Sequence, residues 1–396
     1  MGGGLMQLVA YGAQDIYLTG NPQITFWKVV YRRCTNFAIE SVEQTFMGNA
    51  TPGSRATATI SRNGDLVSNC VLEVNLTTPN DDGGVLTSAG IHHLVESVEV
   101  EIGGQKIDKH YAAWLQIWNE LSNSHFGPND GDTAPVKSGY GKVVGNGLAK
   151  QKTQTLYCPL AFWFNRNPGL ALRLIALQYH EVKFNFQFAA AGAISHTAGQ
   201  APTVNSIKMY VDYIYLDTEE RRRFAQQSHE YLIDQVQYTG AVSRTAGTGG
   251  MQSLRLDFNH PCKELLWVER QTTRNTTKGF PTDFVQIGGT DGSTALLQLN
   301  GHDRFAKRPM NYFTRVQPLQ HHTNVPYGDR IGVYSFGLRP EDHQPSGTCN
   351  FSRIDNATLQ LTLAHANGAA NEFQVYATNY NVLRIMSGMG GLAYSN

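Results

Sequence analysis

The sequence predicts an all-β chain: two tandem β-sandwiches, with a few short helices in loops and at the junction between the halves. Three observations carry that reading. The segments that stand out are short and alternate apolar with polar residues, as in ATATISRNG, CVLEVNLTT, VESVEVEIGG, VKFNFQFA, SIKMYVDYIYLD, LRLDFN and ATLQLTLA. A period of two, punctuated by Gly, Pro, Asn and Asp, marks half-buried antiparallel strands. At 396 residues the chain exceeds what one hydrophobic core organises, so two domains of somewhat under ~200 residues each are expected. Two pairs of segments also repeat. HHLVESVEV aligns on HPCKELLWV with His92 on His260, Glu96 on Glu264 and Val100 on Val268, at one offset of 168. FWFNRNPG…HEVKFNF aligns on FGLRPEDHQPSG…DNATLQL with Phe162 on Phe336, Phe164 on Leu338, Phe184 on Leu359 and Phe186 on Leu361, at offsets of 174 to 175. A nearly constant offset favours two copies of one β-fold. With eight or so strands per copy, the jelly roll is the natural candidate.

Two segments depart from the strand pattern. In DKHYAAWLQIWNELSN, Tyr111, Trp114, Leu115, Trp118 and Leu121 recur at helical spacing, Asp108 stands where an N-cap would, and one apolar stripe should pack on a sheet. DTEERRRFAQQSHEYLID opens with Asp217 and Glu220 in a capping-box arrangement and is expected to be the helix between the halves. In it, Arg221 to Arg223 follow Glu219 and Glu220, as on a salt-bridged helix face. Long polar loops are expected at Pro79–Gly90, Gly127–Asn146, Ala189–Asn205, Thr239–Gly250 and Arg274–Ser293. MGGGLM begins like a myristoylation site but has Met6 where Ser or Thr is wanted. No basic leader precedes Lys28, and no apolar run approaches the roughly 18 residues of a bilayer-spanning helix, so neither export nor membrane insertion is expected.

Lys plus Arg and Asp plus Glu number 32 each, which removes the net positive field that a phosphate backbone would need. Direct nucleic-acid binding is therefore not expected. Charged residues are only 16% of the chain, a composition suited to strands and broad contact surfaces. Five cysteines, at 34, 70, 158, 262 and 349, are far apart and form no C-x-x-C pair, so neither a disulfide framework nor a zinc cage is indicated and a reducing compartment is the simplest reading.

One stretch gathers the residue types of a nucleophilic site: HQPSGTCNFSRIDNA, His343 to Ala357. A cysteine nucleophile needs a histidine within hydrogen-bond reach and an electropositive setting. The pattern instead suggests Pro345 and Gly347 as a turn, Cys349 and Phe351 as core, and Arg353 with Asp355 as a structural pair on one sheet face. The adjacent histidines His92–His93 and His321–His322 cannot chelate jointly from a regular strand, whose neighbours point to opposite faces; HEV at His180 and HEY at His229 lack a second histidine four residues on. No metal or cofactor is expected. SGYGKVVGNG fits no phosphate-binding pattern. Of the sequons at Asn49, Asn75, Asn275, Asn350 and Asn356, only Asn275 falls in an expected exposed loop, making it the candidate glycosylation site. Trp163 and Trp267 would suit a sugar platform less well than a core. No catalytic set emerges, and a carbohydrate-binding β-sandwich stays open as the alternative function.

Longer motifs are more specific. GGGLMQLVAYGAQDIYLTGNPQITFWKVVYRRCTNFAIE, VEVEIGGQKIDKHYAAWLQIWNEL, LYCPLAFWFNRNPGLALRLIALQYHEVK, YIYLDTEERRRFAQQSHEYLI, FNHPCKELLWV and YSFGLRPEDHQPSGTCNFSRIDNATL run from end to end. In that order they resemble the major capsid proteins of nucleocytoplasmic large DNA viruses. The resemblance implies a double jelly roll of two eight-stranded sandwiches: an N-terminal arm at 1–24, a first domain at 25–216, a junction helix at 217–234 and a second domain at 235–396. It implies a non-enzymatic shell protein whose homotrimer has a pseudo-hexagonal footprint and tiles an icosahedral capsid. It further implies neighbouring capsomers, minor capsid and penton proteins and a nearby inner viral membrane as partners, with assembly in the host cytoplasm. At this length the outer loops should be modest.

Overall fold

The computed structural model describes residues 3–10, 12–22, 26, 34–79, 90–123, 143–144, 153–194, 201–244, 250–271, 284–288, 292–326, 328–364 and 371–394. The chain separates into two units, Met1–Asn36 and Phe37–Asn396. In the first, the short helices Gly3–Val9 and Asp15–Thr19 leave Leu5, Met6, Leu8, Val9, Ile16, Tyr17 and Leu18 exposed.

Both sandwiches lie in the second unit. The first has the principal strands β1 (Phe37–Gln44), β2 (Arg55–Thr59), β3 (Leu66–Thr77), β4 (Val95–Ile102), β5 (Gln105–Tyr111), β6 (Thr153–Pro159), β7 (Val182–Phe188) and β8 (Thr203–Leu216). One sheet runs β1-β8-β3-β6; the other runs β2-β7-β4-β5, with Phe46–Met47 at its edge. The second sandwich has β9 (His229–Arg244), β10 (Gly250–Arg255), β11 (Pro261–Gln271), β12 (Thr294–Leu299), β13 (His302–Asp303), β14 (Ile331–Ser335), β15 (Ala357–Leu363) and β16 (Asn371–Met386). Its sheets run β9-β16-β11-β14 and β10-β15-β12-β13. Among the described residues, each sandwich thus places its first, eighth, third and sixth principal strands in one antiparallel sheet and its second, seventh, fourth and fifth in the other. That is the jelly-roll order, twice.

Packing follows from the alternation. On β7, Val182, Phe184, Phe186 and Phe188 are buried and the residues between them half-buried. Phe184 and Phe186 face Ala58 and Ala56 on β2 and Val100 and Val98 on β4, large side chains against small. On β15, Leu359 and Leu361 face Leu297 and Ala295 of β12 in the same way. Burial of each such side chain stabilises by roughly 1.5–3 kcal/mol.

The ladders show which repeated segments are equivalent. Leu160 N donates to Cys70 O and Phe336 N to Lys263 O, both at 2.9 Å, so the chain leaves β6 and β14 against β3 and β11 by the same step. The repeat from Phe162 and Phe336 onward therefore falls on corresponding strands, with Leu160 rather than Phe162 the counterpart of Phe336. The other repeat does not: HHLVESVEV leads into β4, whereas HPCKELLWV is β11, whose topological partner is β3. Alternating apolar residues around one glutamate are too generic to set that alignment.

Several local expectations also change. Asp108 is no N-cap: β5 continues to Tyr111, which caps the helix Ala112–Ser122. That helix is buried on more than one stripe, at Ala112, Ala113, Trp114, Leu115, Gln116, Ile117, Asn119 and Leu121, as expected of a helix enclosed between layers. The junction helix spans only Thr218–Gln226, with the Asp217 carboxylate accepting from Thr218 N at 2.8 Å. His229 to Asp234 belong to β9, where His229, Tyr231 and Ile233 are buried on alternate positions. Arg222 pairs with Glu219 across the helix at 3.9 Å, but Arg221 instead grips buried Asp65 through two hydrogen bonds of 2.9 and 3.1 Å. Finally, the expected loop Thr239–Gly250 begins as strand through Arg244.

Candidate functional site

The stretch His343–Ala357 crosses the end of β14, adds a short strand to β11 and leads into β15. Gly347 has φ +143°, and a Cβ there would lie 2.8 Å from Phe336 O, so glycine is required where the loop crosses the end of β14. Ser346 Oγ accepts from Arg339 N at 3.0 Å, closing the same crossing; Pro345 is exposed in it. Cys349–Asn350 forms a short strand on β11, with Cys349 half-buried opposite fully buried Cys262. Phe351 is buried against Phe258 and Phe336, edge to face at 6.0 and 5.8 Å. No hydrogen bond joins His343 to Cys349 among the described residues, and burial raises the Cys349 thiol above its usual range. A thiolate nucleophile is not what this setting favours.

Arg353 and Asp355 do not form the expected pair. Residues Phe351–Arg353 turn as a 3₁₀ helix, which breaks the strand alternation, and both side chains are exposed with no ion pair between them. Asp355 N instead donates to Asn300 Oδ1 at 3.0 Å. Asn275 lies outside the described residues, as do residues 127–142 and most of Arg274–Ser293.

The histidine pairs are separated in role. His92 and His93 sit buried in the short helix Gly90–Leu94; His92 Nδ1 lies 3.3 Å from Cys158 Sγ, and burial depresses His92 to about 3. His321 Nδ1 reaches Leu338 O at 2.9 Å. His322 is buried between two carboxylates, Glu341 Oε1 at 2.9 Å from Nδ1 and Glu264 Oε2 at 3.1 Å from Nε2, the latter poorly aligned for a hydrogen bond. Burial opposes a charge on His322, but Glu264 and Glu341 outweigh it and lift it to about 9. Burial also opposes charge on Glu264, and His322 with Lys263 and Thr378 nevertheless holds it below the usual carboxylate range. Among the described residues no group of three or more His, Cys, Asp or Glu side chains is arranged to hold a metal ion.

What sequence reasoning missed is the polar seam between the sandwiches, to which this His322 cluster belongs. Asp108 Oδ1 on β5 accepts from Val236 N on β9 at 3.0 Å, while its Oδ2 lies 2.8 Å from His110 Nε2. His110 is stacked 4.1 Å from Phe162 and, as burial dominates over Asp108, is held below its usual range. Asp234 Oδ2 on β9 takes Lys263 Nζ of β11 at 2.9 Å and Arg166 Nη1 of the first sandwich at 3.4 Å. The Arg166 guanidinium also lies 3.9 Å from the Trp118 ring centroid. Around these charges one apolar cluster continues from the first sandwich to Tyr231, Ile233, Leu266, Val268, Tyr376 and Leu383 of the second. The sheet β9-β16-β11-β14 is accordingly buried on both faces. Lys263 and Glu264 carried a sequence signal: two adjacent charges ahead of the apolar run Leu265–Val268 in one strand.

Elsewhere apolar side chains face outward. Phe37 and Ile39, each 58% exposed, lie on edge strand β1; Leu319 and Leu338, each 72% exposed, lie in the short helix Gln317–His321 before β14 and just beyond the end of β14. Exposed apolar side chains of this size are suited to contact with other molecules.

Two jelly rolls that share one apolar cluster and turn apolar side chains outward have the architecture of the double jelly-roll class, which builds virus shells. Comparison makes the assignment specific. Residues 220–391 match the family described as large eukaryotic DNA virus major capsid protein, and residues 25–217 match major capsid protein N-terminus. The chain is 52% identical to a major capsid protein of Pyramimonas orientalis virus and 46% identical to one of Paramecium bursaria Chlorella virus 1, each over the full length of both chains. Its fold superimposes on PBCV-1 VP54 with a TM-score of 0.79 at 41% identity, covering 94% of this chain and all of that one. The Faustovirus major capsid protein shares the fold at a TM-score of 0.73 and 14% identity, over 95% of this chain and 94% of that one. The chain belongs to the major capsid protein family of large eukaryotic DNA viruses.

Proposed function

We propose that three copies of this chain form a capsomer with a pseudo-hexagonal outline, and that these capsomers tile the icosahedral shell of a large double-stranded DNA virus. The observation that carries the reading is the repeated strand order in two sandwiches fixed side by side. Two similar bodies in each of three chains supply six similar units around one axis, and such a unit packs on a near-hexagonal lattice. Closed assembly needs large apolar contacts inside the capsomer and weaker ones between capsomers; the outward apolar side chains on β1 and beyond β14 suit the first kind. The role is structural and non-enzymatic, with no cofactor and no direct contact to nucleic acid, in keeping with the balanced charge.

In the same proposal, residues 1–24 are an arm on the inner side of the shell, where exposed Leu5, Leu8, Ile16 and Leu18 would meet minor capsid and penton proteins or the inner membrane, and assembly takes place in the host cytoplasm. Residues 25–216 and the chain beyond the junction helix are the two domains. Pro345, Gly347, Cys349 and Phe351 are assigned to holding the edge of the second domain. Mass measurement in solution tests the central point: a species near three times 43.8 kDa is expected, and a persistent monomer at micromolar concentration would overturn it.

A further inference from the structure

Of the five cysteines, two face each other. Cys262 on β11 and Cys349 on its short neighbour are direct partners in an antiparallel ladder, with Pro261 opposite Asn350 beside them. Phe351 N donates to His260 O at 3.1 Å, which makes Cys262 and Cys349 a hydrogen-bonded pair of that ladder, a geometry with Cα atoms about 5.5 Å apart and side chains on one face. Disulfides span Cα separations of about 4.4–6.8 Å, most often near 5.5–6 Å. Both thiols are free. They are not equivalent: Cys262 is fully buried in the core of the second sandwich, whereas Cys349 is half-buried at its margin, where burial raises its thiol and the nearby Arg304 cation offsets that rise only in part. Reagents reach one thiol and not the other.

We infer that Cys262 and Cys349 are a redox-modifiable pair, closed to an intrachain disulfide by a small-molecule disulfide such as glutathione disulfide. The Cys349 sulfur, the more accessible of the two, attacks one sulfur of the reagent as its proton is lost, forming a mixed disulfide and releasing one glutathione thiolate, which takes up that proton. The Cys262 sulfur then attacks the Cys349 sulfur, the mixed bond breaks, and the second glutathione leaves with the Cys262 proton. Two cysteine thiols are oxidised and one glutathione disulfide is reduced to two thiols. The bond closes 87 residues of chain, including β12, β13 and β14, so it constrains the unfolded state strongly. In a reducing cell the pair stays open, and in a particle outside the cell it closes.

The test uses full-length protein with exposed Cys34 changed to Ser, so that no reaction there confuses the count. After incubation with glutathione disulfide, protein is unfolded in an alkylating agent and digested for mass spectrometry. A peptide linking Cys262 to Cys349, with Cys70 and Cys158 alkylated, and a melting temperature raised by several degrees relative to reduced protein, are expected. Cys349→Ser, at the partly exposed position, should fold alike, leave Cys262 alkylatable and lose the rise. A mixed disulfide that stops at Cys349, a cross-link between chains, or both thiols still alkylatable would each overturn the proposal. None of these outcomes depends on whether the chain forms trimers.

Discussion

The β1-β8-β3-β6 sheet of the first sandwich and the β9-β16-β11-β14 sheet of the second have the same strand order and opposite environments. In the first, one face is covered and β3 alternates buried with half-buried residues from Cys70 to Thr77. In the second, Cys262 to Glu269 of β11 are all buried, because Cys262, Leu265 and Trp267 enter the sheet's own core while Leu266 and Val268 enter the seam. Topology was repeated; exposure was not. What distinguishes the sheets is that the second must place charges where no water competes, and so must pair them.

That difference is sharpest at Asp234. Asp234→Ala removes the shared partner of buried Lys263 and half-buried Arg166 and leaves both cations without it, a loss of about 3–5 kcal/mol, to be read as a lowered urea midpoint. A shift no larger than that of a surface substitution would mean that water reaches the seam.

His322 gives the next effect, with a sign fixed by its charge. Its folded-state value, about 9 against 6.5 for the free group, lies above the unfolded one. Its contribution is therefore fully present below about pH 6.5 and lost as pH rises through 9, on the order of 3 kcal/mol in all. Denaturation midpoints of wild type should fall across that window, and those of His322→Gln should not share the slope. Glu264, held low, adds the opposite dependence, its contribution being lost on acidification.

The smallest effect belongs on the outer face of the first sandwich. Lys208 Nζ and Glu43 lie 3.2 Å apart, but both are solvent-exposed, and solvent screens such pairs. Lys208→Ala should leave the urea midpoint unchanged within error; a loss comparable to that of Asp234→Ala would erase the distinction between the two sheets.

Legibility in the sequence follows the same division. Strands with one wet face, such as β3, β4, β7 and β15, announce themselves by alternation. β16 does not, because Phe373, Val375 and Ala377 pack in the second sandwich's own core and Tyr376 and Leu383 in the cluster shared with the first, all of them buried. β1 escapes for the reverse reason: Phe37 to Ser41 are all exposed, so no apolar period is imposed. Of the His343–Ala357 stretch, the turn at Gly347 and the buried Phe351 were readable from residue type. The 3₁₀ turn that separates Arg353 from Asp355 was not, since the sequence ahead of it still reads as a strand. The facing of Cys262 and Cys349 is invisible to any rule of spacing, because a ladder and not the chain brings them together.

The position of β16 also sets a timetable. β9 and β11 do not touch each other in their sheet; each is paired to β16, His229 to Ile385 and Leu266 to Tyr376 among their partners. During synthesis the first sandwich has its central strand once Leu216 has emerged, and can close while the ribosome is still at work. The second waits with β9 and β11 unpaired between them until Asn371–Met386 arrives. For that interval the seam's charged and apolar groups stand open to solvent and to other nascent chains, which makes the last long strand to be made the one that ends the chain's most vulnerable period.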